Sequence, residues 1–294
     1  MPELPEVEIV RRGLAPILVG NAFARVEQRR PDLRFPLPKR FGERLEGRKV
    51  QALDRRAKYL LARLDNGEVL VMHLGMTGRF AIDKANGAST APGRFAHRQN
   101  PAPKHEHIVF HLGDGTTVRY SDTRRFGAMD LVPADKLDSY ALFKGLGVEP
   151  LGDKLTPERL ASKLKGKATS IKAALIDQRL IAGLGNIYAC EALHRARISP
   201  LKLARTLATK SGKPTKKTEA LVEGIKAVLE SAIKAGGSSL RDYRHTDGRL
   251  GRFQHSFRVY GREGKPCRRA GCDGVTRRIV QNGRSTFYCP TCQR

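Results

Sequence analysis

The segment CRRAGCDGVTRRIVQNGRSTFYCPTC, residues 267–292, decides how the carboxyl-terminal end of the chain folds. Its four cysteines form two short-range pairs, Cys267 with Cys272 and Cys289 with Cys292. Four thiolates in two pairs suit tetrahedral zinc held between two turns. Because protein would supply all four ligands, the sequence predicts one structural Zn²⁺ that has no position open for water or substrate.

The residues between the two cysteine pairs predict a β-hairpin. Residues 276–281 and 285–288 have strand character, and Asn282-Gly283 between them suits a type I′ turn. Zinc would order a hairpin that is too small to fold alone. A ribbon that only stabilises the chain end remains an alternative, but Arg277, Arg278 and Arg284 favour a hairpin that binds DNA.

The whole chain is strongly basic. Its 294 residues include 55 lysines and arginines against 29 acidic residues, a net charge of +26. This excess is too large for surface solubility alone and predicts a polyanionic partner, with nucleic acid as the leading candidate. The basic residues are dense in residues 197–217, which contain no acidic side chain, and in residues 261–294. The sequence has no basic amphipathic helix with a bulky apolar face of the kind that favours lipid.

The sequence predicts neither a membrane span nor a secretory leader. Its longest apolar runs are far shorter than a membrane-spanning helix. Its first residues lack the basic, apolar and small-residue regions that follow one another in a signal peptide. We therefore expect a cytoplasmic protein with no membrane partner. In that compartment clustered cysteines favour a metal over disulfides, and Cys190, which stands apart from them, is expected in the core.

Hydrophobic periodicity divides the chain into a β-rich part and a helical part. After a first helix over residues 5–15, ended by Gly13 and Pro16, residues 20–132 predict antiparallel strands. The pattern becomes helical near residues 147–153, where we place a domain boundary. The helices predicted beyond it are one capped by Thr156, then 170–180, 187–196, and one through Leu221 and Ala232 that stops at Gly236-Gly237.

Two segments are predicted to be long loops. Residues 83–104 are rich in proline, glycine, alanine, serine and asparagine, which is typical of a surface loop. Residues 236–257 have no clean periodicity. Since a loop of this length inside a compact protein is usually functional or disordered, we interpret residues 236–257 as a functional lid.

The first eight residues, MPELPEVE, would place a reactive amine at the chain end. Removal of Met1 would expose Pro2, whose terminal amine titrates near physiological pH and is therefore partly nucleophilic. Attack by Pro2 on the anomeric carbon of a sugar would give an iminium that drives elimination of the attached phosphates. Glu3 is a candidate acid. Pro5 and Glu6 also favour an ordinary helix start.

Six motifs follow one another along essentially the whole chain. They are PELPEVE at 2–8, RRAKYLL at 55–61, HLGMTG at 73–78, DTRRFG at 122–127, GLGNIYACEAL at 183–193, and NGRSTFYC at 282–289 within the cysteine hairpin. Together, in this order and spacing, they closely resemble the bacterial formamidopyrimidine-DNA glycosylase family.

The resemblance implies an α+β multidomain fold. We expect an N-terminal antiparallel β-sandwich with an N-terminal helix over residues 1–148, a helix-two-turns-helix domain over 149–257, and a C-terminal zinc-finger β-hairpin over 258–294. The lesion-recognition loop would be at about 236–257. The resemblance also implies a bacterial, nucleoid-associated monomer that binds damaged double-stranded DNA and needs no organic cofactor.

The resemblance further implies a bifunctional DNA glycosylase and AP lyase of base excision repair. It would remove oxidised purines, namely 8-oxoguanine and formamidopyrimidines, and nick the strand by β,δ-elimination. Pro2 matches the nucleophile that forms the Schiff base, and Glu3 matches the acid that assists opening of the sugar ring. Lys58 matches the proton donor of β-elimination near the target phosphate. Arg284 matches the proton donor of δ-elimination, which also clamps phosphate.

Seven further residues match DNA contacts of the family: His73, His105, Lys167 and Asn186, and a wedge of Met76, Arg124 and Phe126. The wedge fills the gap left when the damaged base is flipped out. Met76 and Phe126 can replace lost stacking, and Arg124 can hydrogen-bond to the orphaned partner base. By itself, however, a methionine after a strand is usually a core residue. A single lysine or arginine is more often a solvated charge.

Two departures from the family pattern and two alternatives remain. The first cysteine pair has a longer spacing than in better-known members, still compatible with zinc, and the loop at 83–104 is longer. One alternative is an endonuclease VIII-like glycosylase for oxidised pyrimidines, although that group typically has glycine where this chain has Leu4. The other is a non-catalytic zinc-ribbon nucleic-acid binder, which would bind DNA without nicking it.

Overall fold

A computed structural model describes residues 2–84, 103–238 and 252–294. The predictions about Met1, about most of the loop at 83–104 and about most of the lid at 236–257 lie outside the described residues. The chain divides into two compact units, Met1–Lys144 with Ala235–Arg252, and Gly145–Lys234 with Phe253–Arg294. The domain boundaries at 148 and 257 stay predictions.

The first unit is built from antiparallel strands. Its described elements are the helices α1 (Leu4–Leu18) and α2 (Phe41–Leu45) and the strands β1 (Phe23–Gln28), β2 (Val50–Arg56), β3 (Tyr59–Leu64), β4 (Glu68–His73), β5 (Arg79–Asp83), β6 (Glu106–Leu112), β7 (Thr117–Ser121) and β8 (Ala128–Pro133). Two four-stranded sheets result, in the orders β1-β6-β7-β5 and β2-β3-β4-β8. The prediction of an antiparallel β domain that follows a first helix is confirmed.

Both sheets and α1 contribute to one hydrophobic core. Phe23 and Phe110 come from the first sheet, Leu60 and Leu70 from the second, and Leu14 from α1. The rings of Phe23 and Phe110 lie 5.2 Å apart between their centroids. Alternate side chains of a strand point to opposite faces of its sheet, so one face of each sheet fills this core.

Helix α1 is longer than predicted. Gly13 and Pro16 were expected to end it, but the helix continues to Leu18, and the N–H of Val19 still donates to the Ala15 carbonyl at 3.0 Å. Leu18 is buried in the core. Burial of an apolar side chain of this size contributes about 1.5–3 kcal/mol, which offsets much of the cost of a proline inside a helix.

The second unit contains the remaining helices and the hairpin. Its elements are α3 (Pro157–Leu164), α4 (Ile171–Leu175), α5 (Asn186–Arg195), α6 (Lys216–Lys234), β9 (Arg277–Gln281) and β10 (Arg284–Tyr288). The Thr156 hydroxyl caps α3 by accepting the Arg159 N–H at 3.2 Å, as predicted. Asn282 and Gly283 have φ of 49° and 69°, the positive values that a type I′ turn requires.

Helix α4 is shorter than predicted, and the expected helix over 170–180 is wrong beyond Leu175. The Asp177 carboxylate accepts the N–H of Arg179 at 3.0 Å, and the Gln178 side chain donates to the Leu184 carbonyl at 2.7 Å and accepts the N–H of Gly183 at 2.9 Å. These local side-chain bonds to the backbone compete with helix formation.

Helices α5 and α6 pack closely against each other. A Cβ on Gly224 of α6 would lie 3.2 Å from the Ala192 carbonyl of α5, so glycine permits the close approach. Cys190 on α5 is buried, as predicted. Among the described helices, none has the length and apolar character that a membrane span would need.

Candidate catalytic and nucleic-acid-binding site

A buried carboxylate fixes the start of α1, where Pro2 and Glu3 lie. Pro2, Glu3 and Glu6 are all buried. The Glu6 carboxylate accepts the N–H of Glu3 at 2.9 Å, and also the N–H and the hydroxyl of Ser238 at 2.8 and 3.0 Å. Glu6 therefore holds the backbone next to Pro2 and ties it to the residue that precedes segment 239–251. From the sequence we interpreted Glu6 only as part of a helix start.

Lys58 is 6% exposed and lies at the end of β2, where the chain turns into β3. The preceding residue, Ala57, accepts a hydrogen bond from the Arg55 guanidinium at 2.9 Å, and Arg55 also binds the Glu8 carboxylate of α1 at 3.2 Å. Burial opposes ionisation of Glu8, but the arginines around it outweigh burial and lower its pKa to about 2. The ion pair thus joins α1 to the turn that carries Lys58.

His73 lies at the end of β4, paired in register with Tyr59. Its ring is 4.8 Å from the Tyr59 ring, and its Nδ1 accepts the Gly75 N–H at 3.1 Å. Burial, and then the charges of Lys58 and Arg34, lower the pKa of His73 to about 4. The imidazole is therefore neutral at pH 7, and since Nδ1 is an acceptor its single proton lies on Nε2.

Asp122 holds two loops together, the HLGMTG loop (residues 73–78) and the DTRRFG loop (residues 122–127). Its buried carboxylate accepts the Thr77 hydroxyl, the Gly127 N–H at 2.7 Å and the Arg124 N–H at 3.3 Å. The Thr77 hydroxyl oxygen in turn accepts the Arg124 N–H at 3.1 Å. Sequence reasoning did not single out Asp122 or Thr77, although both stand inside quoted motifs.

The backbones of these two loops also touch. Gly75 has φ +61°, and a Cβ there would lie 2.3 Å from the Phe126 carbonyl carbon. Met76, half-buried, follows this contact directly. On the other loop the Arg124 guanidinium lies 4.7 Å from the centre of the Phe126 ring, and that ring is 44% exposed. The structure thus brings the three predicted wedge residues together.

His105 lies beside the DTRRFG loop. Its carbonyl accepts the Asp122 N–H at 3.1 Å, so the short 3₁₀ helix at Pro103–His105 ends against the residue that organises that loop. The neighbouring His107 Nε2 lies 2.8 Å from the Asp122 carbonyl. The first unit therefore contains eight of the predicted site residues: Pro2, Glu3, Lys58, His73, Met76, His105, Arg124 and Phe126.

In the second unit the structure joins Asn186 to the hairpin next to Arg284. The Asn186 amide donates to the Ser285 carbonyl at 2.8 Å, and Arg284 is exposed directly after the turn. Asn186 therefore positions the strand that carries Arg284. Lys167 is exposed in the turn after α3, and across the described residues no hydrogen bond or ion pair connects it with Asn186 or Arg284.

The four cysteine sulfurs fit a zinc ion. All four Sγ atoms lie within 4.8 Å of one another, with Cys267 to Cys292 at 3.9 Å and Cys272 to Cys289 at 3.7 Å. A tetrahedron with Zn–S bonds of about 2.3 Å has edges of roughly 3.8 Å, so the cage has the size that zinc requires. The cysteines would hold the ion as a structural centre that fixes the hairpin.

Two residues outside the ligand set shape this cage. A Cβ on Gly274 would lie 2.7 Å from the Cys289 Sγ, so glycine leaves room for the thiolate. His194, buried on α5, places its Nε2 at 3.4 Å from the Cys267 Sγ and 3.8 Å from the Cys292 Sγ. Sequence reasoning did not identify His194, because it lies 73 residues from the first cysteine.

The first unit, built from two sheets, and the helical unit with its four-cysteine hairpin define a mixed α/β zinc-finger protein. Three family models match its sequence: the formamidopyrimidine-DNA glycosylase N-terminal domain over residues 1–129, the formamidopyrimidine-DNA glycosylase H2TH domain over 146–244, and a zinc finger found in FPG and IleRS over 264–294. The chain belongs to the formamidopyrimidine-DNA glycosylase family.

Full-length relatives agree with this assignment. The formamidopyrimidine-DNA glycosylase of Beijerinckia indica is 60% identical, with 100% of both chains covered. The crystal structure of the MutM (Fpg) protein from Thermus thermophilus superposes with a TM-score of 0.81 at 40% identity, covering 99% of this chain and 98% of that one. A Lactococcus lactis FPG variant in complex with Fapy-dG-containing DNA has a TM-score of 0.83 at 33% identity, with 100% of both chains covered.

Proposed function

We propose that this protein is a bifunctional DNA glycosylase and AP lyase of base excision repair, which removes 8-oxoguanine and formamidopyrimidines from duplex DNA. The observation that carries the proposal is Pro2, a buried proline held at the start of a helix whose first turn is fixed by the Glu6 carboxylate. The family membership and the relative bound to Fapy-dG-containing DNA support the same activity.

In the proposed reaction Pro2, exposed by removal of Met1, attacks C1′ of the damaged nucleotide. The bond from the Pro2 nitrogen to C1′ forms as the glycosidic bond breaks and the base leaves. Glu3 protonates the ring oxygen, which opens the sugar and leaves an iminium. The iminium acidifies the C2′ proton, whose loss expels the 3′ phosphate. A second elimination then expels the 5′ phosphate, and water releases the sugar fragment from Pro2.

Both cationic and neutral hydrogen-bond donors bind the damaged DNA strand. Lys58 supplies a point charge and a proton during β-elimination, and Arg284 supplies a planar fork suited to phosphate and a proton during δ-elimination. His73 donates from Nε2 as a neutral imidazole, because its Nδ1 already accepts the Gly75 N–H. His105, Lys167 and Asn186 add contacts to the DNA backbone or help to position such contacts.

The wedge residues Met76, Arg124 and Phe126 fill the gap left by the flipped base. Extrusion of a base costs a few kcal/mol, and insertion of apolar side chains into the stack compensates for part of it. Arg124 is held over the Phe126 ring, where its guanidinium can reach the partner base. The proposed enzyme works as a monomer in the bacterial cytoplasm, associated with the nucleoid, and contains one structural zinc and no organic cofactor.

A strand-cleavage assay tests this function. We expect the protein to nick a duplex that carries one 8-oxoguanine opposite cytosine far faster than a duplex that carries thymine glycol. Preference for thymine glycol would favour the endonuclease VIII-like alternative. Tight binding of both duplexes without a nick would favour a non-catalytic zinc-ribbon binder.

A further inference from the structure

Residues 32–35 lie beside the DTRRFG loop and include an arginine, Arg34, followed by a phenylalanine, Phe35. The Arg34 N–H donates to the Gly127 carbonyl at 2.9 Å. The Arg125 guanidinium lies 3.4 Å from the Asp32 carboxylate. These two contacts join the segment to the loop that carries the proposed wedge, so Arg34 and Phe35 lie next to that loop.

The two segments repeat one arrangement. Six large hydrophobic side chains are exposed among the residues that the structure describes, and two of these are aromatic, Phe35 at 47% and Phe126 at 44%. Each of the two rings has a guanidinium over it, Arg34 at 5.4 Å from the Phe35 centroid and Arg124 at 4.7 Å from the Phe126 centroid. An arginine held over an aromatic ring can still donate hydrogen bonds from its edges.

The Arg34 charge also acts on His73, a residue proposed to lie near phosphate. Burial first, and then the charges of Lys58 and Arg34, lower the pKa of His73. Within the described part of the chain, the Arg34 side chain makes no hydrogen bond or ion pair. An exposed guanidinium of this kind, whose charge acts on His73, is available to an anionic ligand.

We propose that Arg34 and Phe35 form a second DNA-contacting pair, in which Arg34 binds a backbone phosphate and Phe35 packs against the adjoining nucleotide. This inference rests on the proposed function. An arginine fork matches phosphate oxygens, and an exposed ring can stack on a base or sugar of any sequence. The pair extends the DNA-contacting surface from the wedge towards Lys58 and His73.

The test measures binding to a duplex that contains a tetrahydrofuran abasic analogue, which the enzyme cannot process, at several salt concentrations. Loss of one phosphate contact in Arg34→Ala should make the slope of log affinity against log salt shallower by about 0.9. Arg34→Lys should restore the slope, because the charge is kept. Phe35→Ala should weaken binding about fivefold or more at an unchanged slope, since a stacking contact is not electrostatic.

Two control variants match these changes in the same unit. Arg25→Ala removes an exposed arginine of β1 that is paired with Glu27, and Val19→Ala trims an exposed apolar side chain after α1. Both should bind like the wild type. An Arg34→Ala slope equal to the wild-type slope, or a Phe35→Ala affinity equal to that of Val19→Ala, would overturn the inference. If the wild type neither binds nor nicks damaged DNA, the proposed function itself fails, which is a separate outcome.

Discussion

Replacement of Asp122 by asparagine should loosen the two loops that carry the proposed wedge without unfolding the protein. The buried carboxylate accepts the Gly127 N–H at 2.7 Å, together with the Thr77 hydroxyl and the Arg124 N–H. An amide offers one acceptor oxygen, and its NH₂ group faces either the Gly127 N–H or the Thr77 hydroxyl. At least one charge-assisted bond is lost and one buried donor is left without an acceptor.

The magnitude follows from these two losses. Hydrogen bonds to charged groups contribute about 1.5–3 kcal/mol, and a buried unsatisfied donor costs about 1–3 kcal/mol. Because part of this penalty is relieved by adjustment of the loop, we expect a local cost of about 3 kcal/mol. That corresponds to a roughly hundredfold loss of protection against hydrogen exchange.

Hydrogen–deuterium exchange read by mass spectrometry is the assay. Peptides that cover residues 73–78 and 122–127 should lose protection in Asp122→Asn, whereas peptides from α5 and α6 should not change. Asp130→Asn is the matched control, since Asp130 also accepts two hydrogen bonds, from Tyr140 and from the Leu131 N–H, but lies in β8. Unchanged exchange in both loops of Asp122→Asn would refute the reasoning that this carboxylate holds them together.

Three further predictions concern charge, protonation and zinc. Affinity for damaged duplex should fall steeply with salt, by roughly 0.9 log unit per log unit for each neutralised phosphate, and salt-insensitive binding would contradict the electrostatic account. The pKa of His73 in the folded protein, about 4, lies below the ordinary histidine pKa of 6.5, so the unfolded chain takes up the proton at a higher pH than the folded chain does. The free energy of unfolding should therefore fall as the pH drops from 6.5 towards 4. In urea titrations, the free energy of unfolding should decrease between pH 7 and pH 4 by about 3 kcal/mol less in His73→Phe than in the wild type. Equal decreases in the two proteins would argue against a buried neutral imidazole. His194 Nε2 should donate to the Cys267 and Cys292 thiolates. His194→Phe should therefore release zinc to a chromogenic chelator about fivefold faster than the wild type, whereas His194→Gln, which keeps a donor, should not. Equal release rates in all three proteins would rule out the hydrogen bond.

Local patterns were sufficient to predict much of this fold. The type I′ turn at Asn282-Gly283, the Thr156 cap and the cysteine pairs each depend on residues close together in sequence. Period-two alternation predicted the strands because one face of each sheet fills the core. These features need no knowledge of which distant segments meet.

The two helix ends were predicted wrongly because contacts with distant residues, or competing side-chain hydrogen bonds, determine where these helices stop. Burial of Leu18 carries α1 past Pro16, and side-chain bonds from Asp177 and Gln178 stop α4 after Leu175. Helix propensity and turn chemistry are weak local preferences that such contacts override. A short periodic segment therefore predicts that a helix exists better than it predicts where the helix ends.

The candidate site follows the same rule. Motif residues such as Lys58, Arg124 and Arg284 could be named from the sequence, because their motifs resemble those of a known family. The residues that position the candidate site could not be named from the sequence. Glu6 binds Ser238 across 232 positions, and Asp122 binds Thr77 across 45, so their roles depend on the folded chain. The side chains that position a candidate site are less visible in a sequence than those whose motifs resemble a known family.

The most direct test of the central claim is to trap the reaction on 8-oxoguanine DNA with borohydride and to map the cross-linked peptide. We predict one covalent complex, reduced at the amine of Pro2 in protein that has lost Met1, and no complex with Pro2→Gly. A cross-link through a lysine, or full activity in protein whose first amine is blocked, would contradict the proposed mechanism.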